Sequence, residues 1–311
     1  MKTFAPNYYP AFRCIADKCR HSCCVGWDVY IDEETLAKYR ATGGELGERL
    51  AKNICESEEG ACFRMGEGGR CPFLNARGLC DIILEKGEGY ISEICTEHPR
   101  FYNFFSDRTE VGLGLSCEEA ARIILSQEEK TCLLPFSEDD EEEYELYPEE
   151  EYVLAKRAEI FDILQNESVG IEERAQAMLR ISGASFPQRS IYEWAKTLAE
   201  LEMLDLTWGK TLATLENVQK SASLPEFERA FEKLLLYFVY RHTASAASEA
   251  DFAARVCFAY LGFTVLRSLC AAKKAQSGEC THEDLCDFAR RYSAEIEYSE
   301  ENTAALINIM I

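Results

Sequence analysis

Eleven of the chain's 15 cysteines lie before residue 133, and this crowding constrains the fold more than any other feature of the sequence. The first residues, MKTFAPNYYPAF, lack an apolar stretch long enough for the core of a signal peptide, so we expect a cytoplasmic protein. Because the cytosol keeps thiols reduced and disulfides there are rarely structural, metal coordination is the leading explanation for so many cysteines. The crowded cysteines are Cys14, Cys19, Cys23, Cys24, Cys55, Cys62, Cys71, Cys80, Cys95, Cys117 and Cys132.

The charge and hydropathy of the chain narrow the class of function. Its formal net charge is -22 and its pI is near 4.7, so the average surface repels nucleic-acid phosphates and anionic lipid headgroups alike. We therefore expect neither nucleic acid nor a membrane as a partner. The hydrophobic content of 47% is enough for a sizeable core. The longest apolar run, residues 256–266, covers about half of the roughly 20 residues that span a bilayer, which indicates a buried helix.

The amino-acid composition of the chain changes near residue 135. Residues 1–135 are rich in cysteine, glycine and short apolar segments, which predicts a loop-rich module that binds metal. The block 137–151 carries ten carboxylates in fifteen residues, and we interpret it as a solvated linker rather than a docking site for a basic partner. The predicted fold class is mainly α, with a cysteine-rich metal-binding (Fe–S) domain at 1–135 and an acidic junction plus all-α helical bundle at 136–311.

Apolar residues recur at three- and four-residue spacing in the C-terminal part, which predicts one helix after another. The N-terminal part should contain a helix at 33–40 capped by Asp32 and another at 117–127 capped by Ser116. The predicted C-terminal helices are 149–166, 171–182, 187–204, 209–221, 225–244, 249–274 and 282–296.

One of these helices, 225–244, has a wide apolar stripe that must be buried. Together with residues 256–266, which are apolar on several faces, it should form the centre of the bundle. The aromatic residues of this helix are interpreted as core residues rather than as a cofactor site. The stripe consists of Phe227, Phe231, Leu234, Leu235 and Phe238, with Tyr237 and Tyr240 on further faces.

Four short stretches carry most of the N-terminal cysteines. Structural zinc favours pairs of ligands two residues apart, and no such pair occurs in them. Their looser spacing and the Cys71-Pro72 dipeptide favour an iron–sulfur cluster, with several metals left open. Adjacent Cys23 and Cys24 should not both bind one metal atom, because neighbouring side chains point apart. The stretches are FRCIADKCRHSCCVGW with Cys14, Cys19, Cys23 and Cys24, CPFLNARGLC with Cys71 and Cys80, SEICTEHPR with Cys95, and LSCEEAAR with Cys117.

Other residues of the same region receive different interpretations. Cys55, Cys62 and Cys132 lie outside the motifs and are interpreted as spare thiols. His21 and His98 lie within the motifs, and we interpret them as neighbours of a metal site or as surface residues rather than as ligands.

Taken together, FRCIADKCRHSCCVGWDVYID, CPFLNARGLCDI, CTEHPRFY and LSCEEAARIIL resemble the flagellin lysine-N-methylase family, part of a broader set of cysteine-cluster proteins. The resemblance covers roughly residues 7–125, with the motifs in the same order. It implies a cytoplasmic enzyme that binds a 4Fe–4S cluster, with zinc as the alternative, and transfers methyl groups from S-adenosylmethionine to lysines of flagellin. The ligand candidates that it implies are Cys14, Cys19, Cys23, Cys24, Cys71, Cys80, Cys95 and Cys117.

The residues themselves do not identify a site of methyl transfer. A doubly wound methyltransferase needs a glycine-rich turn between a strand and a helix, and the stretch 112–114, Gly-Leu-Gly, lacks the third glycine. Radical use of S-adenosylmethionine usually shows three cysteines spaced by three and then two residues. Cys19 and Cys23 fit the first gap, but Gly26 occupies the third position. No catalytic residue is predicted.

The sequence alone is compatible with two classes of function. The first is a protein-lysine methyltransferase, in which Tyr8, Tyr9, Asp28 and Glu97 are conceivable positioning or proton-accepting groups that nothing sets apart from structural residues. The negative charge of such an enzyme would attract a lysine-bearing substrate. The alternative is a non-enzymatic iron–sulfur or zinc-binding protein whose helical domain docks a partner.

Overall fold

The computed structural model describes residues 2–57, 60–138, 145–217 and 223–311, and helices dominate it as the sequence predicts. The predicted linker 137–151 includes residues 139–144, which lie outside the described residues. The strands are β1 Lys2–Pro6, β2 Ile54–Ser57, β3 Gly60–Phe63, β4 Arg100–Phe104, β5 Arg108–Leu113 and β6 Leu133–Glu138. The helices are α1 Glu33–Ala41, α2 Gly44–Asn53, α3 Asp81–Lys86, α4 Glu93–Glu97, α5 Glu118–Leu125, α6 Pro148–Leu164, α7 Ile171–Ile181, α8 Ile191–Ala199, α9 Leu206–Ala213, α10 Glu228–His242, α11 Glu249–Ser277, α12 His282–Tyr292 and α13 Glu300–Met310.

The chain divides into two compact units whose boundaries differ from the predicted border at residue 135. The smaller unit is Arg13–Pro99, and the larger unit combines the first 12 residues with Arg100–Ile311. Each unit has its own apolar core. The first strand and residues 100–138 join the helices of the larger unit because β1 pairs with β5 and β6.

A four-stranded sheet with the order β4-β5-β1-β6 lies in the larger unit, where the sequence predicts loops. β1 runs parallel to β5, with Thr3 opposite Thr109, and antiparallel to β6. β4 and β5 form an antiparallel pair in which Phe101 lies opposite Gly112. The pairing was not predicted because the strands are five or six residues long and β1 meets its partners only after about a hundred residues of chain.

The predicted succession of helices after residue 148 is confirmed, with differences at the ends. α8 starts after Ser190, whose hydroxyl and the carboxylate of Glu193 form a capping box, so residues 187–189 are not helical. α9 ends at Ala213, and residues 218–221 of its predicted span lie outside the described residues. After α12 the chain continues in a π-helical turn, Ser293–Glu297, and α13 was not predicted.

One of the two predicted helix caps is confirmed. Asp32 caps α1 by accepting the backbone N–H of Thr35 at 2.8 Å, which confirms that prediction. Ser116 does not cap α5. Cys117 occupies the N-cap position without a side-chain hydrogen bond to the helix, and the Ser116 hydroxyl is buried instead.

The two helices predicted to be central, α10 and α11, contribute more buried residues than any other described helix of the larger unit. Gly262 of α11 lies so close to the ring of Phe238 of α10 that an added Cβ would come within 2.7 Å of it. By length and composition α11 could cross a membrane, but 78% of its most apolar stretch is buried within the protein. This burial is typical of a core helix.

Candidate functional site

The eight predicted metal ligands differ in where the fold places them. Cys117 belongs to the larger unit, at the start of α5, and the other seven belong to the smaller unit. Cys14 and Cys23 are exposed and Cys19 is half-buried. The remaining four are thiols that share one apolar core, and we call them the thiol cluster: Cys24, Cys71, Cys80 and Cys95.

Local hydrogen bonds gather the thiol cluster from separate stretches of chain. The backbone N–H of Cys71 donates to the carbonyl of Cys24 at 2.8 Å, which joins the first motif to the second. A tight loop then returns the chain to Cys80, because the side-chain oxygen of Asn75 accepts the backbone N–H of Leu79 at 3.1 Å. Hydrogen bonds between residues of the motifs therefore bring the first and second motifs together.

Burial makes most of these thiols hard to deprotonate. It raises the pKa of Cys71 to about 12 and that of Cys95 to about 11, and it also raises the pKa of Cys80; the charges of other cluster thiols add to each shift. A hydrogen bond from Cys23, by contrast, lowers the pKa of Cys24 to about 7. Four thiolates in an apolar site repel one another, so complete deprotonation requires a bound cation.

Backbone donors already point at two of the sulfurs. The N–H groups of Ile82 and Ile83 hydrogen-bond to the thiol of Cys80, and the N–H of Phe73 hydrogen-bonds to that of Cys71. Such bonds favour the thiolate and are among the groups that tune iron–sulfur centres.

The hydroxyl of Tyr39 is buried in the same core and has no hydrogen-bond partner within the described residues. Its ring stacks on Phe63 with centroids 5.8 Å apart. Burial raises the pKa of Tyr39, and the charges of Cys95, Cys80 and Cys71 raise it further, so the hydroxyl stays protonated. It is therefore a donor placed among sulfur acceptors.

The described parts of the chain contain no three Cys, His, Asp or Glu side chains arranged to hold a metal ion. The thiol cluster thus offers donors of suitable chemistry, while their spacing is not that of a finished ion site. Of the two histidines in the motifs, His21 is exposed. The ring of His98 lies 5.8 Å from that of Trp27, and burial lowers the pKa of His98 to about 4.

Each glycine of the stretch 112–114 leaves room for a neighbouring side chain that a Cβ would displace. A Cβ at Gly112 would lie 2.2 Å from the ring of Phe101, and a Cβ at Gly114 would lie 2.2 Å from the hydroxyl of Tyr298. The stretch ends β5, which has an antiparallel partner in β4, so it is not the strand-to-helix turn of a nucleotide-binding fold.

The conceivable catalytic residues are divided between the units. Tyr8 and Tyr9 are buried in the larger unit, where the hydroxyl of Tyr9 accepts a hydrogen bond from Nε of Arg100 at 2.9 Å. Asp28 and Glu97 belong to the smaller unit.

A buried charge network in the larger unit was missed by sequence reasoning. Glu297 is fully buried, and the hydroxyl of Tyr237 lies 3.1 Å from both of its carboxylate oxygens. Nε2 of His242 lies 2.5 Å from Oε1 of Glu297, and Nε of Arg241 lies 3.6 Å from the same oxygen. Glu297 ends the π-helical turn, a local irregularity often found at functional sites, which the sequence pattern does not reveal.

A cavity of about 310 Å³ lies where α6 and α11 begin. Its lining includes two carboxylates and a tyrosine but no lysine or arginine, so it suits a cationic group better than an anionic one. The lining residues are Pro148, Glu149, Tyr152, Val153, Ala246, Ala247, Ser248 and Glu249.

Comparison with known proteins connects the larger unit to lysine methylation. Residues 176–311 match the family model described as the FliB lysine N-methylase C-terminal domain. Over 134 residues the chain is 26% identical to the lysine-N-methylases of Salmonella typhimurium (strain LT2) and Salmonella choleraesuis, which covers 41% of this chain and 33% of each relative. It is 27% identical to the flagellar biosynthetic protein FliU of Salmonella muenchen over 134 residues, 41% of this chain and 79% of that protein.

The aligned part thus spans about a third of the length of the two lysine-N-methylases. No solved structure matches the chain. The C-terminal part thus matches a domain of the same family that the N-terminal cysteine motifs resemble.

Proposed function

We propose that this protein is a protein-lysine N-methyltransferase that modifies flagellin with S-adenosylmethionine and carries an iron–sulfur cluster in the cytoplasm. The match of residues 176–311 to a lysine N-methylase domain carries the proposal. The flagellar name of the relative from Salmonella muenchen supports flagellin as the substrate.

The thiol cluster supports the cofactor. Four sulfurs in an apolar core, with backbone N–H groups aimed at two of them, are the donor set that iron–sulfur clusters use. The unpartnered hydroxyl of Tyr39 would find an acceptor once a sulfur is a metal-bound thiolate. When bound, such a cluster supplies a redox-active centre and a cross-link between the segments that ligate it.

In this proposal the thiol cluster would hold the metal centre, and its sulfurs would complete their approach as it binds. Metal binding couples to folding in many small sites, because the ligands must both deprotonate and converge. The remaining candidates stay ligands implied by the motifs alone: Cys14, Cys19, Cys23 and Cys117.

The chain's charge supports a lysine-bearing substrate. In methyl transfer the neutral amine nitrogen attacks the methyl carbon, the carbon–sulfur bond breaks, and the nitrogen loses one proton. A net charge of -22 attracts a basic surface, and the acidic lining of the cavity at α6 and α11 suits a lysine side chain. Both features favour the approach of lysine and leave the proton acceptor unassigned.

A methylation assay with a defined cofactor state tests the proposal. Protein reconstituted anaerobically with iron and sulfide is incubated with flagellin and S-adenosylmethionine, and flagellin peptides are then weighed by mass spectrometry. We expect mass steps of one methyl group on lysine-containing peptides. Flagellin whose lysines have been acetylated beforehand is the matched control and should gain none.

A visible spectrum of the same sample separates the alternatives. An iron–sulfur protein absorbs visible light, whereas a zinc protein is colourless. A coloured protein with a full complement of iron that leaves flagellin unmodified would refute the enzyme and favour a non-enzymatic iron–sulfur protein with a helical docking domain.

A further inference from the structure

Cys55 and Cys62 face each other across the hairpin of β2 and β3, separate from the thiol cluster. Their Sγ atoms are 3.2 Å apart, and the Cys55 thiol donates a hydrogen bond to the carbonyl of Cys62 at 3.4 Å. Both residues are half-buried thiols, so a small oxidant can reach them. The sequence alone suggests two spare thiols seven residues apart, whereas the hairpin makes them a pair.

The backbone around this pair is held from both sides. The N–H of Phe63 donates to the carbonyl of Val29 at 3.0 Å, and the N–H of Ile31 donates to the carbonyl of Ala61 at 2.8 Å. β3 therefore lies between β2 and residues 29–31 and cannot easily shift its register. Facing residues on antiparallel strands have Cα atoms about 4.5–5.5 Å apart, which is within the range that a disulfide spans.

We propose that Cys55 and Cys62 form a reversible oxidation site that closes to a disulfide in response to hydrogen peroxide. The sulfurs need to approach by only about 1 Å, because a disulfide bond is about 2.05 Å long. This site is independent of the methyltransferase proposal, since neither cysteine belongs to the thiol cluster.

The reaction balances with peroxide as the oxidant. Peroxide first converts one thiol to a sulfenic acid and releases one water. The sulfur of the second thiol then attacks the sulfenic sulfur, the sulfur–sulfur bond forms, and the sulfur–oxygen bond breaks. The displaced hydroxyl group leaves with the proton of the second thiol as a second water. Two thiols and one peroxide therefore give one disulfide and two waters, and a dithiol reductant reverses the change.

Peptide mass spectrometry of the full chain tests this site directly. Trypsin cleaves after Lys52 and Arg64, so both cysteines fall in the single peptide 53–64. Reduced protein is treated with a stoichiometric amount of peroxide, alkylated with iodoacetamide and digested. We expect peptide 53–64 to appear without alkyl groups and two hydrogens lighter than its reduced form. Dithiothreitol before alkylation should restore two alkylation sites.

Internal controls make the result specific. Peptide 131–156 carries the exposed Cys132 of the larger unit as its one cysteine and should stay alkylated. In Cys55→Ser protein, Cys62 should become alkylated after the same treatment, because it has lost its partner. Two alkyl groups on peptide 53–64 of the peroxide-treated wild type, or oxygen added to it in place of a disulfide, would overturn the proposal. An equal loss of alkylation at Cys132 in peptide 131–156 would overturn the specificity of the site.

Discussion

Nε2 of His242 lies 2.5 Å from the carboxylate of Glu297, and both side chains are buried in the larger unit. Burial lowers the pKa of His242 below its usual 6.5, even though Glu297 acts to raise it. Burial alone would raise the pKa of Glu297, but Arg241 and the hydrogen bond from His242 hold it below its usual 4.5. At neutral pH a neutral imidazole therefore donates to an ionised carboxylate.

This pair predicts that acid destabilises the larger unit before its surface carboxylates titrate. Below a pH of about 6.5 the unfolded chain binds a proton on His242 that the folded chain does not, so the free energy of unfolding falls as the pH falls. Glu297 adds to the loss below a pH of about 4.5, for the same reason. Urea unfolding followed by circular dichroism between about pH 7.5 and pH 5.5 measures the first effect.

His242→Gln removes the titrating group but keeps a hydrogen-bond donor, so its unfolding free energy should vary less over that pH range. His282→Gln, on α12, is the control and should keep the wild-type pH dependence. Equal slopes for His242→Gln and the wild type would contradict this role for His242.

The buried ion pair of Arg157 and Glu110 predicts a large cost for removing either charge. Their side chains are 4% and 0% exposed, and the Arg157 guanidinium also lies over the ring of Tyr240. Arg157→Met leaves a carboxylate without its counter-charge and should lower the free energy of unfolding by about 3–5 kcal/mol. Urea unfolding measures the loss, and the double variant Arg157→Met with Glu110→Leu should recover part of it.

The matched control for this pair lies on the same helix. Glu159 pairs with Lys156 at 3.0 Å near the surface, so Glu159→Gln should change the unfolding free energy by less than about 1 kcal/mol. A loss for Arg157→Met as small as that of Glu159→Gln would show that burial does not amplify the interaction.

Loss of the side-chain hydroxyl should have opposite effects on the free energy of unfolding at Tyr39 and at Tyr90. The Tyr90 hydroxyl lies 2.6 Å from Oγ1 of Thr42, whereas that of Tyr39 has no partner within the described residues. In metal-free protein Tyr90→Phe should cost about 1 kcal/mol of unfolding free energy, and Tyr39→Phe should be neutral or stabilising by up to about 1 kcal/mol. Thermal unfolding of the two variants side by side checks the order.

If Tyr39 donates to a metal-bound sulfur, the iron-loaded protein adds a second readout. Tyr39→Phe should then shift the midpoint potential of the centre while Tyr90→Phe leaves it unchanged. Identical potentials in both variants and the wild type would remove Tyr39 from the metal site without bearing on methylation.

The thiol cluster predicts which cysteines retain iron. Serine in place of any one of its four members should reduce the iron bound after anaerobic reconstitution, because a cluster ligand is lost. Cys132→Ser is the control, since Cys132 is exposed and belongs to the larger unit, and it should bind iron like the wild type. Full iron content in all four variants, with circular dichroism unchanged, would rule the thiol cluster out as the metal site.

The amino-acid sequence determined the helical character of the C-terminal part and the central place of α10 and α11. Both follow from the spacing of apolar residues along one helix, which is a local property. The Asp32 cap was predictable for the same reason, because its partner Thr35 is three residues away. The prediction that Ser116 caps α5 was wrong because the helix begins at Glu118, which makes Cys117 the N-cap residue.

Only the tertiary structure decided which side chains meet. The N-terminal strand β1 finds β5 and β6 after long intervening segments, which moves the division between the units away from residue 135. Four of the eight motif cysteines share a core, and Glu297 meets His242 from 55 residues away. Spacing along a sequence fixes neighbours within a turn or a strand, whereas contacts between distant segments depend on how complete elements pack.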